Sequence, residues 1–143
     1  GDSASLAGLC AILSSLAEIP IRQDLAVTGS ISQRGEVQAI GGVNEKIEGF
    51  FQVCQARGPT GTQGVVIPAT NVRHLMLNPD VVDAARQGLF HIYPVSTVEE
   101  AVALLMETPA GEPDDKGEYP KDTVFGLAAA TLTRYAGKKK KDD

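Results

Sequence analysis

Between Leu25 and Ile67 the apolar residues change period twice, and this limits the fold more than any other feature of the chain. Leu25, Val27, Gly29 and Ile31 alternate with polar neighbours, Gln33-Arg34-Gly35 interrupts, and Val37 to Ile40 resumes. A period of two broken by a glycine-containing turn predicts a β-hairpin over residues 24–40. Gly41-Gly42 then punctuates the chain. From Val43 the spacing becomes helical, with Val43, Ile47, Phe50, Phe51 and Cys54 on one side until Gly58-Pro59 ends the run. Gly64 to Ile67 is wholly apolar and mostly β-branched, which reads as a buried strand closed by Pro68.

The flanks extend this pattern. Leu6, Leu9, Cys10, Leu13, Leu16 and Ala17 make a stripe that predicts a helix over residues 3–18, with Asp2 and Ser3 in the capping position and Pro20 as the stop. Short helices are expected over 70–77 and 79–87, the second capped by Gly88. His91 to Val95 is a further strand. Ser96 and Thr97, with Glu99 and Glu100 three residues on, have capping-box spacing ahead of a helix through Met106. Strands alternating with helices after a leading helix and hairpin imply an α+β fold, a two-layer α/β arrangement in which one mixed sheet packs with helices. Residues 108–122 turn rich in Pro, Gly and charge and read as a linker. Val124, Leu127, Ala128, Leu132 and Tyr135 then form one more amphipathic stripe, which either docks back on the domain or meets a neighbouring subunit. The expected organisation is thus a domain over 1–107 and a linker with a C-terminal helix and tail over 108–143.

With 143 residues and 43% hydrophobic content, the chain can bury a real core. Aromatics make up only 5% and Trp is absent, so that core should be aliphatic. The net charge of -5 lies wholly in residues 1–107, because 108–143 carry seven acids and seven bases. An acidic body offers no footprint for nucleic acid. The basic run Lys138 to Lys141 is followed at once by Asp142 and Asp143 and reads as a solvated tail. Cys10 and Cys54 fall on apolar helix faces without metal-site or disulfide spacing, so buried free thiols are expected. No apolar run has membrane-spanning length and no signal peptide is visible. The chain opens at Gly1 without Met, which reads as a piece of something longer in a cytoplasmic setting.

Two residues stand out chemically. Ser3, at the expected first turn of a helix, would lie near backbone N–H groups that lack intrahelical partners, as an oxyanion requires, although Ser is also an ordinary N-cap. A serine hydroxyl needs a base. His74 and His91 sit in no motif and fit solvated or structural roles. Lys46, turned at about 100° per residue, falls between Val53 and Phe50 inside the apolar arc of helix 43–57. A lysine buried there would shed its proton and could act as a base; a lysine whose ammonium snorkels to water fits the same periodicity. Gly41-Gly42 and Lys46 do not make a phosphate loop, since Lys46 lies between Glu45 and Ile47 rather than in Gly-Lys-Ser/Thr.

Longer motifs decide between these readings. GDSAS (1–5) resembles the nucleophile motif of the Lon proteases, in the variant of their B-type and bacterial Lon-like members. AVTGSISQRGEVQAIGGVNEKIEGF (26–50) resembles the family's lysine motif, and the separation of 43 residues from Ser3 to Lys46 matches its spacing. GVVIPATNVRHL (64–75) resembles the strand and loop that follow. The resemblance covers most of residues 1–106. It implies a serine endopeptidase with a Ser-Lys dyad: Ser3 forms an acyl-enzyme, with Ser5 as rival nucleophile, Lys46 moves the proton, and Thr28 orients Lys46. It implies no cofactor or metal in this segment, with ATP used by an ATPase module elsewhere in the same full-length chain. Expected partners are polypeptide substrates, that cis ATPase module and further copies in a homo-oligomeric ring, usually a hexamer, with no nucleic acid and no membrane. The alternative is a catalytically silent ring-forming or regulatory module of the same fold. Family domains extend upstream of the serine, and that stretch should add strands and part of the substrate groove. The tail after Glu107 resembles no known pattern.

Overall fold

A computed structural model describes residues 4–142, with side chains through Lys139. In chain order the elements are β1 (Ala4–Ser5), α1 (Leu6–Ala17), β2 (Leu25–Val27), β3 (Ser30–Ile31), β4 (Val37–Gln38), α2 (Val43–Arg57), β5 (Gly64–Pro68), a 3-10 turn (Ala69–His74), α3 (Pro79–Arg86), β6 (His91–Val95), α4 (Val98–Met106) and α5 (Val124–Asp142). The α+β class stands. The strands, however, divide between two sheets instead of forming one: β1-β3-β4 is antiparallel, and β2-β5-β6 is parallel. The chain separates into two compact units. One comprises Arg22–Val98 with the segment ending at Ala7; the other comprises Gly8–Ile21 with the stretch from Glu99 onward.

Both sheets belong to the first unit. The predicted hairpin is real but shorter, with Ser30 opposite Gln38 and Ile31 opposite Val37. The alternation that began at Leu25 is cut at Gly29, whose φ of 117° turns the chain from the parallel sheet into the antiparallel one. β5 is the central parallel strand and is buried along its whole length, as its unbroken apolar run requires. Val43, Ile47, Phe51 and Cys54 on α2 pack with Val65 and Ile67 of β5, Val81 of α3 and Phe90 in one core, which is aliphatic apart from its two phenylalanines. Phe51 and Phe90 meet edge to face at 5.1 Å between ring centres. The segment read as a helix over 70–77 is instead the short 3-10 turn, followed by extended chain from Leu75.

The second unit is helical. Ser3 and its capping role lie outside the described residues, but α1 begins at Leu6 rather than at residue 3, because Ala4 and Ser5 are drawn into strand pairing. The two outer ends of this unit are tied by side chain and backbone: Thr131 Oγ1 donates to the Leu16 carbonyl at 2.7 Å. Val124 N–H and Phe125 N–H donate to the carbonyls of Pro109 and Ala110. α5 therefore docks on its own chain, along a line that keeps Val124 and Ala128 of the predicted stripe and departs from it towards the C-terminus. Val124, Gly126, Ala128 and Thr131 are buried, whereas Leu132 and Tyr135 face outward at 53% and 61% exposure.

Cys10 and Cys54 are free and buried, as expected. Burial pushes the Cys10 thiol up to about 11 from its ordinary 9.0. Below the unfolded value both states keep the proton. Above it the unfolded chain ionises first, so stability is lost as pH rises from about 9 to about 11, by on the order of 3 kcal/mol. At pH 8 a thiol reagent should leave Cys10 unmodified in the native protein and modify it fully in denaturant. Fast labelling of the native thiol would contradict this burial.

Candidate active site at the carboxyl end of the parallel sheet

The strands β2, β5 and β6 end side by side, and described residues of the resembling motifs gather there. Thr28 follows β2. Its N–H and its hydroxyl both donate to the Val66 carbonyl of β5, at 3.0 and 2.8 Å, and it is buried at 8% exposure. The hydroxyl hydrogen is thereby committed, and Thr28 has only oxygen lone pairs to offer another donor. Gly29 comes next. A Cβ on it would press on Pro68 Cγ and Val37 Cγ1, each at 3.2 Å, at a backbone angle that L side chains rarely adopt. Its carbonyl accepts the Leu6 N–H at 3.0 Å, while Ala4 and Ser5 pair with Ile31 and Ser30. The chain immediately after Ser3 thus runs along Gly29 to Ile31. Ser3 itself lies outside the described residues.

The lysine motif is anchored to the same end of β5. Asn71, three residues beyond the strand and buried at 3% exposure, donates from Nδ2 to the Ile40 carbonyl and accepts the Ile40 N–H on Oδ1, both at 3.0 Å. An orphaned pair there would cost roughly 1–3 kcal/mol per buried group. Gly42 then adopts the left-handed conformation with φ 74° and starts α2, its carbonyl accepting the Lys46 N–H. Asn44 donates to the His74 carbonyl and accepts the Met76 N–H, and Glu48 accepts the Asn78 N–H. The first turns of α2 are therefore held by side chain to backbone bonds across the loop that follows β5. Periodicity did not single out Asn71; its signal was an amide placed directly after a buried strand, where a polar side chain must find partners.

Lys46 does not lie on the buried face of α2. The helix buries the line Val43, Ile47, Phe51 and Cys54, and leaves Lys46 exposed beside Val53, itself 43% exposed. The apolar arc of the sequence is wider than the arc the core covers, and Lys46 occupies the uncovered margin. Composition adds a second fact. Lys46 is the sole lysine in residues 1–107, where every other cationic side chain is arginine. Guanidinium groups do not give up a proton, so Lys46 is the one amine of that stretch able to serve as a base.

The other candidates take structural places. His74 is exposed, and His91 Nε2 lies 2.7 Å from the Gly61 carbonyl. A recess of about 290 Å³ opens beside the strand ends, lined by Glu36, Val37, Ala69, Thr70, Ser96 and Thr97. Open parallel sheets characteristically bind ligands at the carboxyl ends of their strands. Among the described residues no helix is long and apolar enough to cross a membrane.

The family model of the Lon protease (S16) C-terminal proteolytic domain matches residues 1–108. The chain belongs to this family. It is 54% identical over 106 residues to a putative Lon protease homolog of Escherichia coli, covering 74% of this chain and 18% of the relative. It is 39% identical over 107 residues to the archaeal Lon protease of Thermococcus kodakarensis, covering 75% of this chain and 15% of that protein. Lon protease 1 of Hydrogenovibrio crunogenus is 40% identical over 132 residues, covering 91% of this chain and 15% of that protein. This last alignment is too long to fit within residues 1–108, so similarity to a Lon protease extends into the tail. The chain spans less than a fifth of the length of these curated relatives.

Proposed function

We propose that this Lon proteolytic domain is the serine endopeptidase part of an ATP-dependent Lon-like protease, working through Ser3 and Lys46. The observation that carries the reading is the shared anchoring at the carboxyl end of β5. Thr28 is fixed on Val66, the entry to α2 is fixed by Asn71, and the chain leaving Ser3 is laced to Gly29 and Ile31. Ser3 Oγ attacks the substrate carbonyl carbon while its proton passes to neutral Lys46 Nζ; the carbonyl π pair moves to oxygen. Collapse of the tetrahedral adduct expels the amine, which takes the proton from Lys46, and leaves an acyl-enzyme that water hydrolyses by the reverse relay. A free Thr28 lone pair would orient the lysine by accepting one of its N–H bonds. To accept the serine proton the amine has to be neutral in the working complex. A polypeptide laid over Lys46, Phe50 and Val53 would exclude water from the amine and favour that form.

The same reading has a cytoplasmic enzyme whose substrates are polypeptides delivered by an ATPase module of the full-length chain, with the copies arranged as a ring, usually of six. The Ser3→Ala variant of the full-length protein tests the core of it. Peptide cleavage should fall at least about 10³-fold with folding and assembly intact. Unchanged cleavage would refute the dyad, and a parent that cleaves no peptide would leave a catalytically silent module.

A further inference from the structure

Resting on the peptidase reading, we propose that Asn71 is a positioning residue for Lys46. Ile40 is the last residue before Gly41-Gly42, and both of its backbone polar groups are engaged by one buried amide. The two glycines that follow have the widest backbone freedom of any residue type. With the Ile40 clasp open, the start of α2 would be free to pivot about them. With it closed, Gly42 is held in the conformation from which the first helical bond, Lys46 N–H to Gly42 O, is made.

Only an amide provides this grip at a single position. A carboxylate can accept the Ile40 N–H but cannot donate to its carbonyl, and a hydroxyl has one hydrogen and a shorter reach. Asn44 and Glu48 hold the next turn to residues 74–78, but both grip the chain after the lysine-bearing turn has begun. Of these three side chains, Asn71 is the one that grips the chain upstream of the glycine pivot. Its side-chain hydrogen bonds go to Ile40, so its effect on chemistry is through where the Lys46 amine stands.

The test is the rate of modification of Ser3 by a fluorophosphonate in the full-length protein, read as two quantities: the fraction finally labelled and the rate constant. Misplacing a catalytic group lowers the rate constant, whereas partial unfolding lowers the labelled fraction. For Asn71→Ala the rate constant should fall about tenfold or more, with the labelled fraction near that of the parent and peptide KM within about twofold. Val81→Ala, at a core residue of α3 that is 1% exposed, is the comparison. It should lower the melting temperature while leaving the rate constant within about twofold. If Asn71→Ala does not fold, Asn71→Asp keeps the acceptor and loses the donor, and its rate constant should fall about threefold or more. A parent-like rate constant in whichever Asn71 variant folds, or an equal fall in Val81→Ala, overturns the proposal. A parent that is never labelled at Ser3 removes the peptidase reading along with it, an outcome distinguishable from labelling that Asn71 does not affect.

Discussion

Replacing Lys46 by alanine should abolish acylation of Ser3 while leaving the fold as stable as before. Lys46 is exposed on α2, and the residues that anchor the helix are Val43, Ile47, Phe51 and Cys54. Removing an exposed side chain at such a site changes stability by no more than about 0.5 kcal/mol. Removing the base of a nucleophile-base pair should cost at least about 10³ in the rate of acylation, since members of such a unit lose most of their effect together. Lys46→Arg sharpens the test. It keeps the positive charge and the length of the side chain, so any role in binding or solubility survives, but a guanidinium cannot accept the serine proton. The expected result is that both variants melt with the parent and neither forms acyl-enzyme in a single-turnover assay. Lys46→Arg with activity within about tenfold of the parent would mean the lysine supplies charge rather than proton transfer.

The exposure of that lysine also marks where sequence reasoning stops. The bounds of α2 were legible because Gly41-Gly42 and Gly58 flank an unbroken helical period, and β5 because a short apolar, mostly β-branched run closed by Pro68 favours a strand buried on both faces. Which part of a wide apolar arc the core will cover was not legible. Val53 carries the same kind of hydrophobic signal as Phe51 and Cys54 yet is 43% exposed, Phe50 is only partly buried against the core, and only the positions of β5, α3 and Phe90 choose among them. α5 repeats the lesson. Its buried line runs through Gly126 and Thr131, one because a side chain there would strike the Pro120 carbonyl, the other because its hydroxyl reaches the Leu16 carbonyl. Neither is a hydrophobic residue, so periodicity found the buried Val124 and Ala128 but passed over both of these and added the exposed Leu132 and Tyr135. The split into two sheets was hidden for a related reason. Leu25 to Ile31 alternates evenly in sequence, and the break at Gly29 is a matter of backbone angle.

That break supplies the second large effect. Gly29→Ala should destabilise the first unit by about 3 kcal/mol and remove most peptidase activity. Two costs combine. At φ 117° an alanine is held where L residues are strained, and the new methyl would stand 3.2 Å from both Pro68 Cγ and Val37 Cγ1. Such backbone strain is worth roughly 1–3 kcal/mol, and overpacking a similar amount. The neighbours have little room to yield, because Pro68 lies in the wholly buried β5 and Val37 is buried in β4, its N–H bonded to the Ser96 carbonyl. The strain is instead relieved by moving Gly29 itself. Its carbonyl carries the Leu6 N–H, and Thr28 precedes it, so that movement disturbs the segment leading from Ser3 and the threonine proposed to orient Lys46. Thermal melting should therefore drop by roughly 10 °C, and activity measured well below the new midpoint should still be down at least about a hundredfold. A Gly29→Ala variant that melted early but cleaved peptides normally at low temperature would separate the two effects. It would show that the geometry between Thr28 and the start of α1 does not govern the chemistry.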